Sequence, residues 1–192
     1  MSAVQRVKRN FAAYLKNKTM KKTVLTYGLI AGFISCIGFF LLGQNMDFDK
    51  GMIYGFGSMI LAFSLIFVAV KSYRDKHNGG LISFGKAFEV GLYVAIIAST
   101  IYVFAWLFSL NFMFPDFAEK YSSYLIAQMQ AEGASAAEIG AKMQEMNEFK
   151  VSYKNPIIVI LYTYMEILPL GIVVALITAA FLKKKNKLTP TT

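Results

Sequence analysis

Two acidic residues, Glu89 and Glu166, lie inside long apolar segments of the chain. An ionised carboxylate in the hydrocarbon layer of a membrane is costly, so such residues are paired, protonated or functional. Glu89 follows Lys86 by three residues, the spacing at which two side chains meet on one face of a helix. We therefore interpret Glu89 and Lys86 as an ion pair near a membrane boundary.

Glu166 lies much deeper in its apolar segment, which ends near Leu182. A straight helix between these residues rises roughly 24 Å, which places the carboxylate in the half of the membrane away from that end. Tyr102, at a similar depth on another segment, and Tyr162, one turn before Glu166, are phenols that can donate a hydrogen bond to it. Pro169 lacks an N–H, frees a carbonyl one turn earlier and can kink the helix.

These residues define a candidate intramembrane polar site that admits two hypotheses. In the first, Glu166 is a buried, hydrogen-bonded pin that stabilises a structural or accessory protein. In the second, it is a proton- or cation-responsive site in a small transporter or channel. Such proteins usually contain inverted repeats and several polar residues at one depth, and the two halves of this chain contain no convincing repeat.

Catalytic and metal-binding motifs are not found in the sequence. It has one cysteine, Cys36, and one histidine, His77, too few for a cysteine- or histidine-based metal site. It also has no nucleophile elbow, no HExxH motif and no paired aspartates within a span. We therefore expect a protein that is not an enzyme and that carries no metal or cofactor.

Four apolar blocks dominate the chain, at about residues 23–44, 51–70, 86–110 and 156–182. Hydrophobic residues make up 56% of its 192 residues. About 20 apolar residues cross the hydrocarbon layer as a helix, and runs of this length exclude barrel strands. The sequence predicts an all-α fold, a polytopic membrane bundle of four transmembrane helices.

The basic residues are concentrated before the first span, between the second and third spans, and after the fourth. The two other connections contain more acidic than basic residues. The positive-inside rule then places both termini in the cytoplasm. We interpret the net charge of +9 as a topology signal and as a contact with anionic lipid at the cytoplasmic face of the bilayer, and not as nucleic-acid binding.

The remaining segments flank or connect the spans. Residues 1–19 form a basic extension, either an amphipathic helix on the membrane surface or a disordered segment. Residues 20–186 form the membrane domain, and residues 187–192 form a tail. Between spans three and four, residues of about 115–150 are predicted to form an extracytoplasmic helical hairpin. Ser135 and Glu138 have the spacing of a helix-starting capping box, and Gly133 separates the two helices.

Each span also carries small residues at four-residue spacing, such as Gly28 and Gly32, or Gly171 and Ala175. These residues allow helix backbones to approach closely. Ordinary packing within the bundle explains most of them, and an unused stripe would fit a homo-oligomer. A second membrane protein is the other partner that we expect.

The chain resembles a family of bacterial membrane proteins known as domain of unknown function 4199. The resemblance is carried by "MKKTVLTYGLIAG" at the first span, "ISFGKAFEVGLYVAIIASTIYVFAW" at the third and "NPIIVILYTYMEILPLGIVVALITAAFLKKK" at the fourth. It covers about residues 20–186 and includes Gly85 to Phe88 together with Glu166, Pro169 and Gly171. It implies a four-span, multi-pass protein of a Gram-negative inner membrane, and it implies no activity.

Overall fold

The computed structural model describes residues 3–42 and 47–184. Within these ranges the chain forms seven α-helices and one π-helical turn, and it contains no strand. In chain order they are α1 (Ala3–Ser35), α2 (Ile37–Leu42), α3 (Phe48–Ser72), the π-helical turn (Tyr73–His77), α4 (Phe84–Phe112), α5 (Phe117–Ala131), α6 (Ala136–Ser152) and α7 (Pro156–Leu182). The predicted all-α fold is confirmed.

Among the residues that the structure describes, four helical segments are long and apolar enough to cross a membrane, as predicted. They are Lys18–Phe39, Phe48–His77, Phe84–Phe112 and Pro156–Leu182. The extension predicted for residues 1–19 is helical from Ala3 and runs without interruption into the first span. The tail predicted for residues 187–192 lies outside the described residues, as do residues 43–46.

The first span is interrupted at Cys36, although its sequence predicts one continuous helix. Gly32 O accepts hydrogen bonds from Ser35 Oγ at 2.7 Å and from Cys36 Sγ at 3.1 Å. Ser58 Oγ of α3 donates to the freed Ser35 O at 3.1 Å. Side chains that bond to nearby carbonyls compete with the helix ladder, and here they separate α1 from α2.

The bundle is built around close contact between α4 and its neighbours α1 and α7. A Cβ added at Gly171 of α7 would lie 2.8 Å from Ala95 Cβ of α4, and one added at Gly91 would lie 3.0 Å from Ala175 Cβ. A side chain at either position would force neighbouring atoms to shift, so these glycines set the distance between the two helices. The small-residue stripes of the third and fourth spans are therefore used inside the protomer.

The helical hairpin consists of α5 and α6, and its local signals are those that the sequence predicts. Ser135 Oγ accepts a hydrogen bond from the Glu138 N–H, and the Glu138 side chain accepts one from the Ser135 N–H. The hydrogen bond to Ser135 lowers the pKa of the exposed Glu138 carboxyl. Gly133 separates the helices with a φ of 79°, which a residue with a side chain rarely adopts.

Candidate functional site

The candidate site depends on which faces of α4 and α7 meet. On α7 the buried residues recur every four positions, at Val159, Thr163, Ile167, Gly171 and Ala175. This face packs on α4, whose own buried residues include Tyr102 and Trp106. The helix starts cleanly because Asn155 Oδ1 accepts a hydrogen bond from the N–H of Ile157 at 3.0 Å and because proline suits the first helical position.

Glu166 lies on the flank of this packed face, and its side chain is exposed. Its carboxylate forms no hydrogen bond or ion pair with any residue that the structure describes. This differs from the buried, hydrogen-bonded position that the sequence predicts. The reason is geometric: the four-residue repeat of α7 directs Thr163 and Ile167 inward and leaves Glu166 beside them.

Tyr102 is 5% exposed and lies on the α4 face that points into the bundle. Its ring centroid is 4.7 Å from that of Phe39, on the short helix α2. The hydroxyl lies within electrostatic range of the Glu166 carboxylate and of Cys36 at the interruption of the first span. The structure therefore brings Tyr102 and Glu166 into one neighbourhood without a direct bond between them.

Trp106, one turn further along α4, joins this neighbourhood to the hairpin. Its indole N–H donates to the Tyr153 hydroxyl at 2.9 Å, and its ring lies 5.1 Å from Phe39 and 4.9 Å from Phe117. Burial raises the pKa of Tyr153 to about 12, opposed by the Trp106 hydrogen bond and reinforced by the negative charge of Glu166. Spacing from Tyr102 points to Trp106 alone, and the pair with Tyr153 was not predicted because the two residues are 47 positions apart.

The hairpin rests on the bundle through aromatic rings from several elements. The Phe48 ring at the start of α3 lies 5.1 Å from Tyr124 and 5.6 Å from Tyr121 on α5. The Tyr124 hydroxyl also donates to Asp49, and within the hairpin Lys150 Nζ lies 3.2 Å from Glu119 Oε2. Offset and edge-on aromatic pairs add to the stabilisation from burial, so the hairpin is docked on the bundle.

The other predicted site residues lie in different surroundings. Tyr162 is 48% exposed and, like Pro169, points away from the packed face of α7. The helix α7 continues through Pro169 without interruption. Lys86 Nζ lies 2.9 Å from Glu89 Oε2, with 30% and 40% of the two side chains exposed. This pair lies near the start of α4, far along the helix from Tyr102.

The α3–α4 loop is fixed to the end of α7. We call this end of the bundle the basic end, because the exposed residues Lys71, Lys76, Lys183 and Lys184 lie there. Ile82 N–H donates to Lys184 O at 3.0 Å, and Lys184 N–H donates back to Ile82 O at 2.8 Å. Arg74 Nη1 donates to Leu182 O at 3.3 Å, and the same guanidinium pairs with Asp75. A cation at a helix C-terminus also interacts favourably with the helix dipole. Neither contact is predictable from the spacing of the residues.

Metal-ligating residues do not cluster within the part of the chain that the structure describes, where no three His, Cys, Asp or Glu residues converge. An open groove of about 330 Å³ lies between α5 and α6, with Ser122, Ile126 and Lys150 among its lining residues. This groove does not include Glu166 or Tyr102. The candidate site therefore consists of the buried Tyr102 and of the exposed residues Glu166, Tyr162 and Pro169, outside this groove.

The fold defines a membrane protein, with four helical segments among the described residues that are long and apolar enough to span a membrane. Residues 26–184 match the family described as protein of unknown function (DUF4199), and the chain belongs to that family. No curated protein and no solved structure matches the chain.

Proposed function

We propose that this chain is a non-enzymatic structural or accessory protein of a bacterial inner membrane, with both termini in the cytoplasm. The charge distribution supports this orientation, since the exposed residues Lys71, Lys76, Lys183 and Lys184 all belong to the basic end. The same residues suit contact with anionic lipid headgroups. In this proposal Glu166 contributes to the association of the protein with a partner in the membrane. It does not stabilise the interior of its own bundle.

The observation that carries the proposal is the packing between Glu166 and the basic end. Phe63, Ile66, Val94 and Ala175 are all fully buried there. A Cβ at Gly171 would lie 3.0 Å from the Phe63 ring as well as 2.8 Å from Ala95. A permeation route needs polar groups or a water-filled cavity along its length. Apolar side chains in direct contact fill most of this segment, and the buried hydroxyls of Tyr73 and Thr178 stand apart among them.

The competing function is a small transporter or channel in which Glu166 binds a proton or a cation. One observation favours it: the Glu166 carboxylate forms no hydrogen bond or ion pair with any residue that the structure describes, so it is available to bind a proton or a cation. An ionisable group inside a membrane often marks an ion pathway. This function requires a second conformation, in which the apolar segment opens.

A flux measurement on reconstituted protein separates the two functions. Purified protein in liposomes is tested for proton, sodium and potassium movement, with Glu166→Gln as the test variant and Glu89→Gln as the control at the basic end. We expect the ion flux of the unmodified protein and of both variants to equal that of empty liposomes. We expect the Glu166→Gln variant to differ from the unmodified protein in its association within the membrane. Flux that Glu166→Gln abolishes and Glu89→Gln preserves would refute the proposal in favour of transport.

A further inference from the structure

One side of α7 presents exposed residues at alternating spacings of four and three positions. They are Tyr162, Glu166, Pro169, Val173, Leu176 and Ala180, which we call the α7 stripe. Alternating steps of four and three residues follow the seven-residue repeat by which two helices pack along their length with a left-handed crossing. The α7 stripe lies outside the buried face of α7, so packing on α4 does not use it.

The α7 stripe carries one hydrogen-bond acceptor and one donor. Glu166 supplies the carboxylate, and Tyr162, one turn earlier, supplies a phenolic hydroxyl; among the described residues neither side chain has a hydrogen-bond partner. The two groups also do not bond to each other within the protomer. A carboxylate exposed to lipid is costly unless another group satisfies it. Glu166 can therefore accept the hydrogen bond that Tyr162 can donate, and two copies of this surface are complementary to each other.

We propose that the α7 stripe is the contact surface for a second copy of this chain. The inference rests on the proposed function and names its partner. A two-fold axis along the membrane normal places the two α7 helices side by side and parallel, so that identical surfaces meet. Tyr162 of one protomer then donates to the partner's Glu166, and the partner's Tyr162 donates to Glu166, which forms two equivalent hydrogen bonds.

The other residues of the α7 stripe also suit contact with a second copy of the chain. Beyond the polar pair, Val173 and Leu176 are 50% and 41% exposed and supply apolar contact, and Ala180 permits close approach near the basic end. A polar residue at one position of a heptad seam fixes the register and the number of helices. Glu166 occupies such a position, and a shift by one turn would separate it from the phenol.

Disulfide cross-linking in native membranes tests the proposal directly. In a Cys36→Ser background, which retains a hydrogen-bond donor at the only native cysteine, one cysteine is introduced by Val173→Cys on the α7 stripe. The control is Met165→Cys on the same helix, off the stripe and more exposed at 74%. With copper phenanthroline as the oxidant, we expect dimer from Val173→Cys at least fivefold faster than from Met165→Cys.

The polar pair is tested by measuring the dimer dissociation constant in detergent or in liposomes. These proteins retain Cys36 and carry no introduced cysteine. Tyr162→Phe removes two hydrogen bonds per dimer, and at the average strength measured between membrane helices we expect roughly sevenfold weaker association. Tyr93→Phe is the control, since Tyr93 is also exposed, at 44%, on α4. Equal effects of the two variants would overturn the role of the pair.

The remaining outcomes separate this inference from the proposed function. A monomeric chain that co-purifies with a different membrane protein at fixed stoichiometry would overturn the second-copy proposal and leave the accessory function standing. Faster cross-linking at Met165→Cys would move the interface off the α7 stripe and equally overturn it. Glu166-dependent ion flux would refute the proposed function, whether or not the chain dimerises.

Discussion

The two halves of the bundle, divided near Gly171, are built in different ways. Toward the basic end, small residues bring α4 and α7 together, the fully buried rings of Phe63 and Tyr73 fill the interior, and the α3–α4 loop is bonded to the last span. Toward the hairpin, the first span is interrupted, Glu166 is exposed, and aromatic rings make the contacts. Steric fit thus stabilises one half, whereas a network of rings and hydroxyls holds the other half to the hairpin.

The strongest test of this contrast removes the ring at the centre of the hairpin half. Trp106→Ala deletes the contacts with Phe39 and Phe117 and the bond to Tyr153, and we expect a loss of about 3–5 kcal/mol in the free energy of unfolding. Protease cleavage of the α5–α6 hairpin should accelerate as well. Phe104→Ala is the control, because Phe104 is on the same helix and 67% exposed. Equal losses from both variants would show that the hairpin does not depend on Trp106.

The packed half is tested by adding volume where the helices touch. Gly171→Val places a side chain against Ala95 and Phe63, and overpacking of this kind costs about 1–3 kcal/mol. The matched variant is Gly57→Val, at an α3 position with no atom within 4 Å of an added Cβ, where we expect a change of about 0.5 kcal/mol or less. Thermal unfolding in detergent measures both. A larger loss from Gly57→Val would contradict the steric account of this half.

The smallest predicted effect is a pH-dependent loosening of the hairpin half. The folded pKa of Tyr153, about 12, lies above its ordinary value of 10.0. Its contribution to stability is therefore fully present below pH 10.0 and is lost as the pH rises through about 12. Trp106 is the only tryptophan in the chain, so its fluorescence reports the change.

The control for that titration is Tyr153→Phe, which removes the titrating group and one hydrogen bond worth about 1 kcal/mol. We expect emission from the unmodified chain to change between pH 10.0 and 12 and emission from the variant to stay flatter. The same titration curve in both proteins would assign the change to other tyrosines.

The sequence predicts the spans well because their signals are local. The bounds of α7 follow from Asn155, Pro156 and the lysines after Leu182, and the start of α6 follows from Ser135 and Glu138. Length and hydropathy alone then fix the number of spans. Local chemistry of this kind is independent of how the helices are arranged.

The candidate site is less predictable because it depends on which faces meet. The sequence of α7 is apolar on nearly every face, so it carries no periodic signal to show that Glu166 would lie on the flank. The interruption at Cys36 needs Ser58 from another helix, and the partners Trp106 and Tyr153 are 47 positions apart. The hydrogen bond predicted between Tyr102 and Glu166 is not formed among the described residues.

The bridge between Ile82 and Lys184 has a consequence for the order of folding during synthesis. The strand-like pairing joins a loop made midway through translation to a residue near the end of the chain. The first three spans can enter the membrane while this loop is still without its partner. The two hydrogen bonds between Ile82 and Lys184 therefore form only after the last span has been inserted. A chain truncated before Lys184 would lack both of them.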